Sequence, residues 1–233
     1  MRITTRTRVK RIVSRLLPDS ARLRLLAQLP ALETWRCERA RGVPLLVGGF
    51  ELFEYLASHV IDPGTPVTYL EFGVFEGKSM RKWLSLNSNP KSSFVGFDTF
   101  SGLPDAWGFF HGQRSRGEFD AGGRAPAIDD PRVSFVPGLF QDTLPSFLAS
   151  FAPKGRLVVN IDCDLYASAL YVLTRCHDIL VPGAIILFDE FSSVLHEFRA
   201  LEDYCAAYRR DYEVIGATVS AIGYYGQVAV RMR

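Results

Sequence analysis

No stretch of eighteen or more apolar residues occurs among the 233 of this chain, so no membrane-spanning helix is expected. The N-terminus is basic but lacks a compact apolar segment followed by small residues, so no secretory signal is expected either. Cysteine is scarce. Cys37, Cys163, Cys176 and Cys205 form no C-x-x-C pair, which excludes a zinc ribbon or a disulfide frame and fits reduced thiols in a cytoplasmic protein. Each reads more readily as a small core residue than as a nucleophile. Aromatics are missing from among the basic residues, and no nucleic-acid-binding module is visible, so nucleic acid is not an expected partner. A G-x-G-x-x-G fingerprint is absent as well.

What is present is enough apolar residue, 48%, to bury a sizeable core in one domain. The net charge of +2 hides an asymmetry. Residues 1–42 hold eleven Lys and Arg against three acids, a net +8, which leaves −6 for the remainder. Within that segment Ile12, Val13, Leu16, Leu17, Leu23, Leu25 and Leu26 suggest one or two short amphipathic helices, interrupted at Pro18, with Asp19 or Ser20 as cap. Such a basic helical extension is either a membrane-surface, acidic-partner or homodimer contact, or a solvated helix packed on its own core.

From residue 43 to 233 strand and helix signals alternate. Strands are expected at Val67–Gly73, Ser93–Asp98, Arg132–Val136, Arg156–Asp162 and Ala184–Asp189, with two late strands near Tyr212–Gly216 and Gln227–Arg231. Helices are expected over Phe50–Val60, which Pro63-Gly64 ends, and over Ser79–Leu86, Asp142–Ala149, Ala167–Ile179 and Phe191–Tyr208. Short apolar runs without alternation, separated by helices, predict an α/β doubly wound, mostly parallel seven-stranded sheet with an antiparallel edge strand. A stretch at about 103–128 breaks the rhythm, being rich in glycine and poor in periodicity. With Trp107, Phe109, Phe110, Arg114 and Arg116 it is either a substrate lid or a surface insertion.

In such a sheet, ligands bind beyond the carboxyl ends of the strands. The first strand runs into Glu71-Phe72-Gly73, with Gly77 four residues on and Lys78-Ser79 opening a helix. Glycines at this turn let backbone approach a ligand, and the helix start offers free N–H groups. Asp98 ends the second strand, twenty-one residues past Gly77, the distance at which an acid accepts hydrogen bonds from ribose hydroxyls. Asp162 and Asp164 flank Cys163 at the fourth strand tip, and Asp189-Glu190 end the fifth. On neighbouring strands these carboxylates would meet, and oxygen-only ligands suit a hard cation such as Mg2+ or Ca2+. Helix capping is the alternative, above all for Asp164. Among the histidines, His59 and His177 fall within helical pattern, while His111 and His196 lie where they could assist proton transfer.

Four blocks together, Y-L-E-F-G-V-F-E-G-K-S, G-F-D-T-F-S-G-L-P-D-A-W, G-L-F-Q-D-T-L-P with N-I-D-C-D-L-Y-A-S, and P-G-A-I-I-L-F-D-E-F, resemble class I S-adenosylmethionine-dependent methyltransferases, and more narrowly the macrocin O-methyltransferase family. The resemblance implies a Rossmann-like fold and an S-adenosylmethionine site of Glu71, Gly73, Val74, Phe75, Gly77, Lys78, Ser79, Asp98, Thr99, Gly138 and Phe140. It implies Asp162, Asp189 and Glu190 as ligands of Mg2+, with Asp162 also the base and His196 its less favoured substitute. The reaction implied is O-methylation of a hydroxylated small molecule such as a sugar. Asp189-Glu190-Phe191 stands where the family has Asp-Asp-Tyr, and Leu165-Tyr166-Ala167-Ser168 where it has Trp-Tyr-Glu-Ser. A nicotinamide-dependent Rossmann oxidoreductase and a non-catalytic cofactor-binding scaffold are the competing readings.

Overall fold

The computed structural model describes residues 21–62, 64–109, 112–219 and 225–233. The cap at Asp19 or Ser20, the helix break at Pro18, Pro63, Phe110 and His111 lie outside them. The chain starts with α1 (Ala21–Arg39), β1 (Leu45–Leu46) and α2 (Gly49–Tyr55), which continues as a wider π-helical turn over Leu56–Val60. Then come β2 (Val67–Phe72), α3 (Lys78–Leu86), β3 (Ser93–Asp98), a small hairpin of β4 (Trp107–Phe109) and β5 (Gly112–Arg114), β6 (Val133–Pro137) and α4 (Phe140–Leu148). β7 (Arg156–Ile161), α5 (Tyr166–Arg175), β8 (Ile185–Phe188), α6 (Glu197–Tyr208), β9 (Tyr212–Val219) and β10 (Tyr225–Met232) complete it.

Eight strands form one sheet in the order β1-β9-β10-β8-β7-β2-β3-β6. From β2 the chain winds outward to β3 and β6 on one side and returns through β7 and β8 on the other, so the strand order reverses between β2 and β7. The antiparallel β9–β10 hairpin closes the far side, with β10 lying against β8 and the two residues of β1 adding an eighth strand beyond β9. Hydrophobic residues alternate between two cores because the strands are covered on both faces. Leu70, Phe72, Val159, Ile161, Ile186 and Phe188 pack toward α1, α4, α5 and α6, while Val67, Tyr69, Val158, Ile185 and Leu187 pack toward α2 and α3. Each fully buried large side chain contributes about 1.5–3 kcal/mol relative to exposure.

Three features differ from the pattern read off the chain. The sheet has eight strands and not seven, because the two-residue β1, too short to show a period, pairs with β9. The helix expected from Phe191 begins only at Glu197, because residues 191–196 form hydrogen-bonded turns that carry Phe191 inward. The basic extension is not a detached arm in its described part. Trp35 of α1 is buried against Phe191 (centroids 4.7 Å apart), Phe198 and Tyr225, and its indole N–H donates to Tyr212 Oη at 2.6 Å. Arg39 adds an ion pair to Asp211 at 2.5 Å and covers the Tyr212 ring. Among the described residues no helix is long and apolar enough to cross a membrane.

Candidate active site

The parallel strands end in register: Phe72 pairs with Phe97 on one side and Ile161 on the other, and Ile161 pairs with Phe188. The next residues, Gly73, Asp98, Asp162 and Asp189, therefore emerge along one edge of the sheet at the reversal of strand order, where open α/β sheets bind ligands. They line a cavity of about 530 Å3. Its other walls come from Val74, Phe75 and Thr99, from Leu139 and Phe140 of the α4 start, from Asp164, Leu165, Ala167 and Ser168 at the start of α5, and from Glu190.

At Gly73 the backbone has φ +95°, and a Cβ there would lie 1.7 Å from the Asp162 carbonyl oxygen, so only glycine lets β2 and β7 end this close together. Phe75 also adopts a left-handed φ of +49°. What holds this turn is Asp98. Its Oδ2 accepts N–H groups of both Val74 (2.7 Å) and Phe75 (2.8 Å), and its Oδ1 accepts that of Phe100 at 2.8 Å. Three of the four lone-pair sites of this carboxylate are thus occupied by backbone, which leaves one on Oδ1. Thr99 lines the cavity, but its hydroxyl closes the next turn onto Gly102 O at 3.1 Å.

Several residues expected at the cofactor stand away from the cavity walls. Glu71 is fully buried within β2, where strand register sets it beside Asn160, whose Nδ2 lies 3.4 Å from Oε1; Oε2 has no partner. Burial pushes its carboxyl up to about 8, against the opposing hydrogen bonds from Asn160 and Ser79. Ser79 is accordingly turned toward Glu71. Gly77, the left-handed residue before α3, faces Pro126, whose Cγ would be 2.9 Å from an added Cβ. Lys78 is exposed and pairs with Glu76 at 3.0 Å. Gly138 supports the cavity indirectly, its N–H donating to Asp98 O at 2.9 Å.

The 103–128 stretch is a folded wall. Leu103 and Glu118–Gly117 exchange backbone hydrogen bonds of 2.9 Å, the N–H groups of Ala121 and Gly123 converge on Phe100 O, and β4 pairs with β5. Through Leu103, Pro104, Trp107, Arg114 and Phe119 it covers the cavity. Arg114 is the cation in this lining and pairs with Glu118 at 2.7 Å. Arg116 is not part of the lining.

Opposite the turn lies a corner of acids. Asp162 lines the cavity from the tip of β7, and burial followed by repulsion from Asp189 and Glu197 holds it far above the ordinary carboxylate range. Asp189 is raised by burial too, despite hydrogen bonds with Gln227 and Asp162. The Gln227 amide, brought in by β10, donates to Asp189 Oδ1 at 2.5 Å. Glu190 is raised by burial and by Asp189. Asp164, in a left-handed conformation (φ +62°), turns its carboxyl into the cavity, and burial with the charge of Asp189 moves it up to about 7. It caps no helix, as α5 has no side-chain cap. Sequence reasoning also passed over Glu197, fully buried behind the corner. Its Oε2 accepts the Glu190 N–H at 3.2 Å while Oε1 has no partner.

Five carboxyl groups gather at the corner, with Arg114 the cation whose charge bears on Asp164 and Glu190; they must retain protons or attract a further cation, and an oxygen-only set chemically fits a hard divalent ion. As placed, no three such side chains among the described residues converge as a formed metal site. His196 stands outside the cavity lining. Its Nε2 is 2.9 Å from Gly108 O and its Nδ1 accepts the Tyr166 N–H at 3.3 Å, so both ring nitrogens are engaged. Burial lowers its proton affinity.

Fold and cavity together define a Rossmann-like protein of the class that binds nucleotide-like ligands at the switch point of a mostly parallel sheet. The macrocin-O-methyltransferase (TylF) family model matches residues 49–226, and the chain belongs to that family. It is 28% identical over 173 residues to the 8-demethyl-8-(2,3-dimethoxy-alpha-L-rhamnosyl)-tetracenomycin-C 4'-O-methyltransferase of Streptomyces olivaceus. That match covers 63% of each protein, so the chain spans less than two thirds of that relative's length. Among solved structures the O-methyltransferase NovP superposes with a TM-score of 0.56 at 24% identity over 78% of each chain. A structure described as cmcI-D160 Mg-SAM superposes with 0.53 at 14% identity, covering 84% of this chain and 76% of that one.

Proposed function

We propose that this protein transfers a methyl group from S-adenosylmethionine to a hydroxyl of a sugar or other hydroxylated small molecule. The single observation that carries the reading is the opposition, across one cavity, of the Gly73–Phe75 turn and the acid corner. The sugar acceptor is supported by the Streptomyces olivaceus relative, whose own substrate name contains a rhamnosyl group. S-adenosylmethionine, when bound, supplies an activated methyl on a sulfonium.

The chain's part is to bind, align and deprotonate. The turn and the remaining Oδ1 site of Asp98 receive the cofactor's ribose side, and Leu139 with Phe140 forms an apolar wall beside it. Asp164 takes the proton that the acceptor oxygen loses. Its left-handed backbone sets it in the cavity lining, where a bound acceptor would lie. Asp162, expected in this role, lines the same cavity but stands against Asp189, and would serve as a cation ligand with it. Asp162, Asp189 and Glu190 would hold a divalent cation such as Mg2+, supported by the Mg-SAM neighbour; its charge there would favour the acceptor alkoxide. His196, with both nitrogens occupied, is not the base.

The test combines calorimetric binding of S-adenosylmethionine and NAD with turnover of a panel of rhamnosyl and other deoxysugar glycosides, with and without EDTA. Binding of S-adenosylmethionine alone, methylated product, and a loss of about 10^2–10^4 in kcat for Asp164→Asn with cofactor binding kept are expected. Binding of NAD in its place would sink the proposal, and full activity in EDTA would remove the metal from it.

A further inference from the structure

His196 joins two walls of the cavity that are far apart in sequence. On one side its Nε2 meets Gly108 O of β4, at 2.9 Å, next to Trp107, which is buried and lines the cavity. On the other its Nδ1 accepts the N–H of Tyr166, the first residue of α5. That helix has Leu165 at its cap position and no side-chain cap of its own, and a histidine thirty residues away accepts the N–H of its first residue. The two bonds require opposite roles of the two nitrogens, donor at Nε2 and acceptor at Nδ1, so they select one neutral tautomer. The ring also stands edge-on to the Trp107 indole, centroids 6.3 Å apart at 75°.

We propose that His196 is a positioning residue that fixes the Trp107 wall relative to Asp164 and the start of α5, and so sets the width of the acceptor cavity. The inference rests on the cavity being the acceptor site. Gly108 offers only its carbonyl here, so the bond depends on the Nε2 proton and not on any side chain of the hairpin. The start of α5 is held from outside through Tyr166, whose N–H donates to His196 and whose hydroxyl donates to Asp203 at 2.8 Å. Removing the imidazole therefore takes one hydrogen bond from each wall at once, whereas the turn at Gly73 is held by Asp98.

The test needs no acceptor in its first arm. Imidazole 15N spectra of the wild-type protein should show the tautomer protonated at Nε2, and His196→Ala should speed amide exchange by about ten-fold at residues 107–109 and at Tyr166, the loss of about one hydrogen bond at each. Affinity for S-adenosylhomocysteine should stay unchanged. His196→Gln, whose amide N–H can reach Gly108 O, should restore slow exchange in β4. In the second arm, with methyl α-L-rhamnoside as probe acceptor, the alanine variant should raise KM more than it lowers kcat. A proton on Nδ1, unchanged exchange in the variant, or no recovery with glutamine would overturn the proposal. So would a pure kcat loss at constant KM, which a proton-transfer role predicts. If the alanine variant does not fold, the wild-type spectra and the glutamine variant decide. Failure of methyl transfer with intact exchange effects would refute the proposed function and leave the His196 bridge standing.

Discussion

Replacing Asp98 by Asn separates two roles that coincide at one side chain. Its carboxylate receives Val74 and Phe75 N–H on Oδ2 and Phe100 N–H on Oδ1. An amide has one oxygen. The least damaging orientation keeps oxygen toward Val74 and Phe75 and presents NH2 to the Phe100 N–H, so at least one bond is lost and two donors face each other. A hydrogen bond to a charged acceptor contributes about 1.5–3 kcal/mol net, so Asp98→Asn should destabilise the ligand-free protein by about 2 kcal/mol or more. For a domain of this size that is a fall of roughly 4–8 °C in Tm, readable by calorimetry. Asp98→Ala leaves three N–H groups unpaired and should cost more. Cofactor affinity should fall in step, because the Gly73–Phe75 turn is held in left-handed backbone by that carboxylate. An Asn variant with unchanged ligand-free Tm and weakened cofactor binding would refute the reasoning, since Asp98 would then act on the ligand alone.

Gly73→Ala, with its Cβ 1.7 Å from Asp162 O, should lower the unfolding free energy from denaturant titration by more than the roughly 1–2 kcal/mol of left-handed backbone strain, and abolish cofactor binding. Glu71→Gln tests a buried acid: its folded-state pKa of about 8 lies above the unfolded value, so wild-type stability should fall as pH rises from about 4.3 toward 8. The Gln variant should gain on wild type across that window in Tm measurements and hold a constant lead above it; a lead that shrinks with pH would contradict the burial argument. Trp35→Phe keeps most of the packing against Phe191 but leaves Tyr212 Oη without its donor, at a cost of about 1 kcal/mol, while Trp35→Ala should cost about 3–5 kcal/mol. Equal midpoints for the two variants would deny the packing role of α1.

What the chain determines by itself is local. Periodicity and turn residues place the five central parallel strands to within a residue or so, Ser93–Asp98 coinciding with the observed strand, and they place Gly73, Asp98, Asp162 and Asp189 at strand tips, while β1, β4 and β5 give no such signal. The acids of β7 and β8 meet only if those strands are neighbours, which the order of the sheet supplies. Direction and partnership are decided elsewhere. Glu71 sits two residues before the turn, yet register against Asn160 turns it into the core. Asp164 looks like a cap in sequence, and only its left-handed backbone aims it at the cavity. Glu197 and Gln227 reach the acid corner from α6 and β10, and Trp35 becomes core because Phe191 lies under it. His196 reads as a proton carrier until Gly108 and Tyr166 are seen to occupy both its nitrogens. Near-neighbour sterics and hydrophobic period act over a few residues and so can be read from sequence. Which polar atom meets which depends on packing between elements distant along the chain, and that the tertiary structure alone supplies.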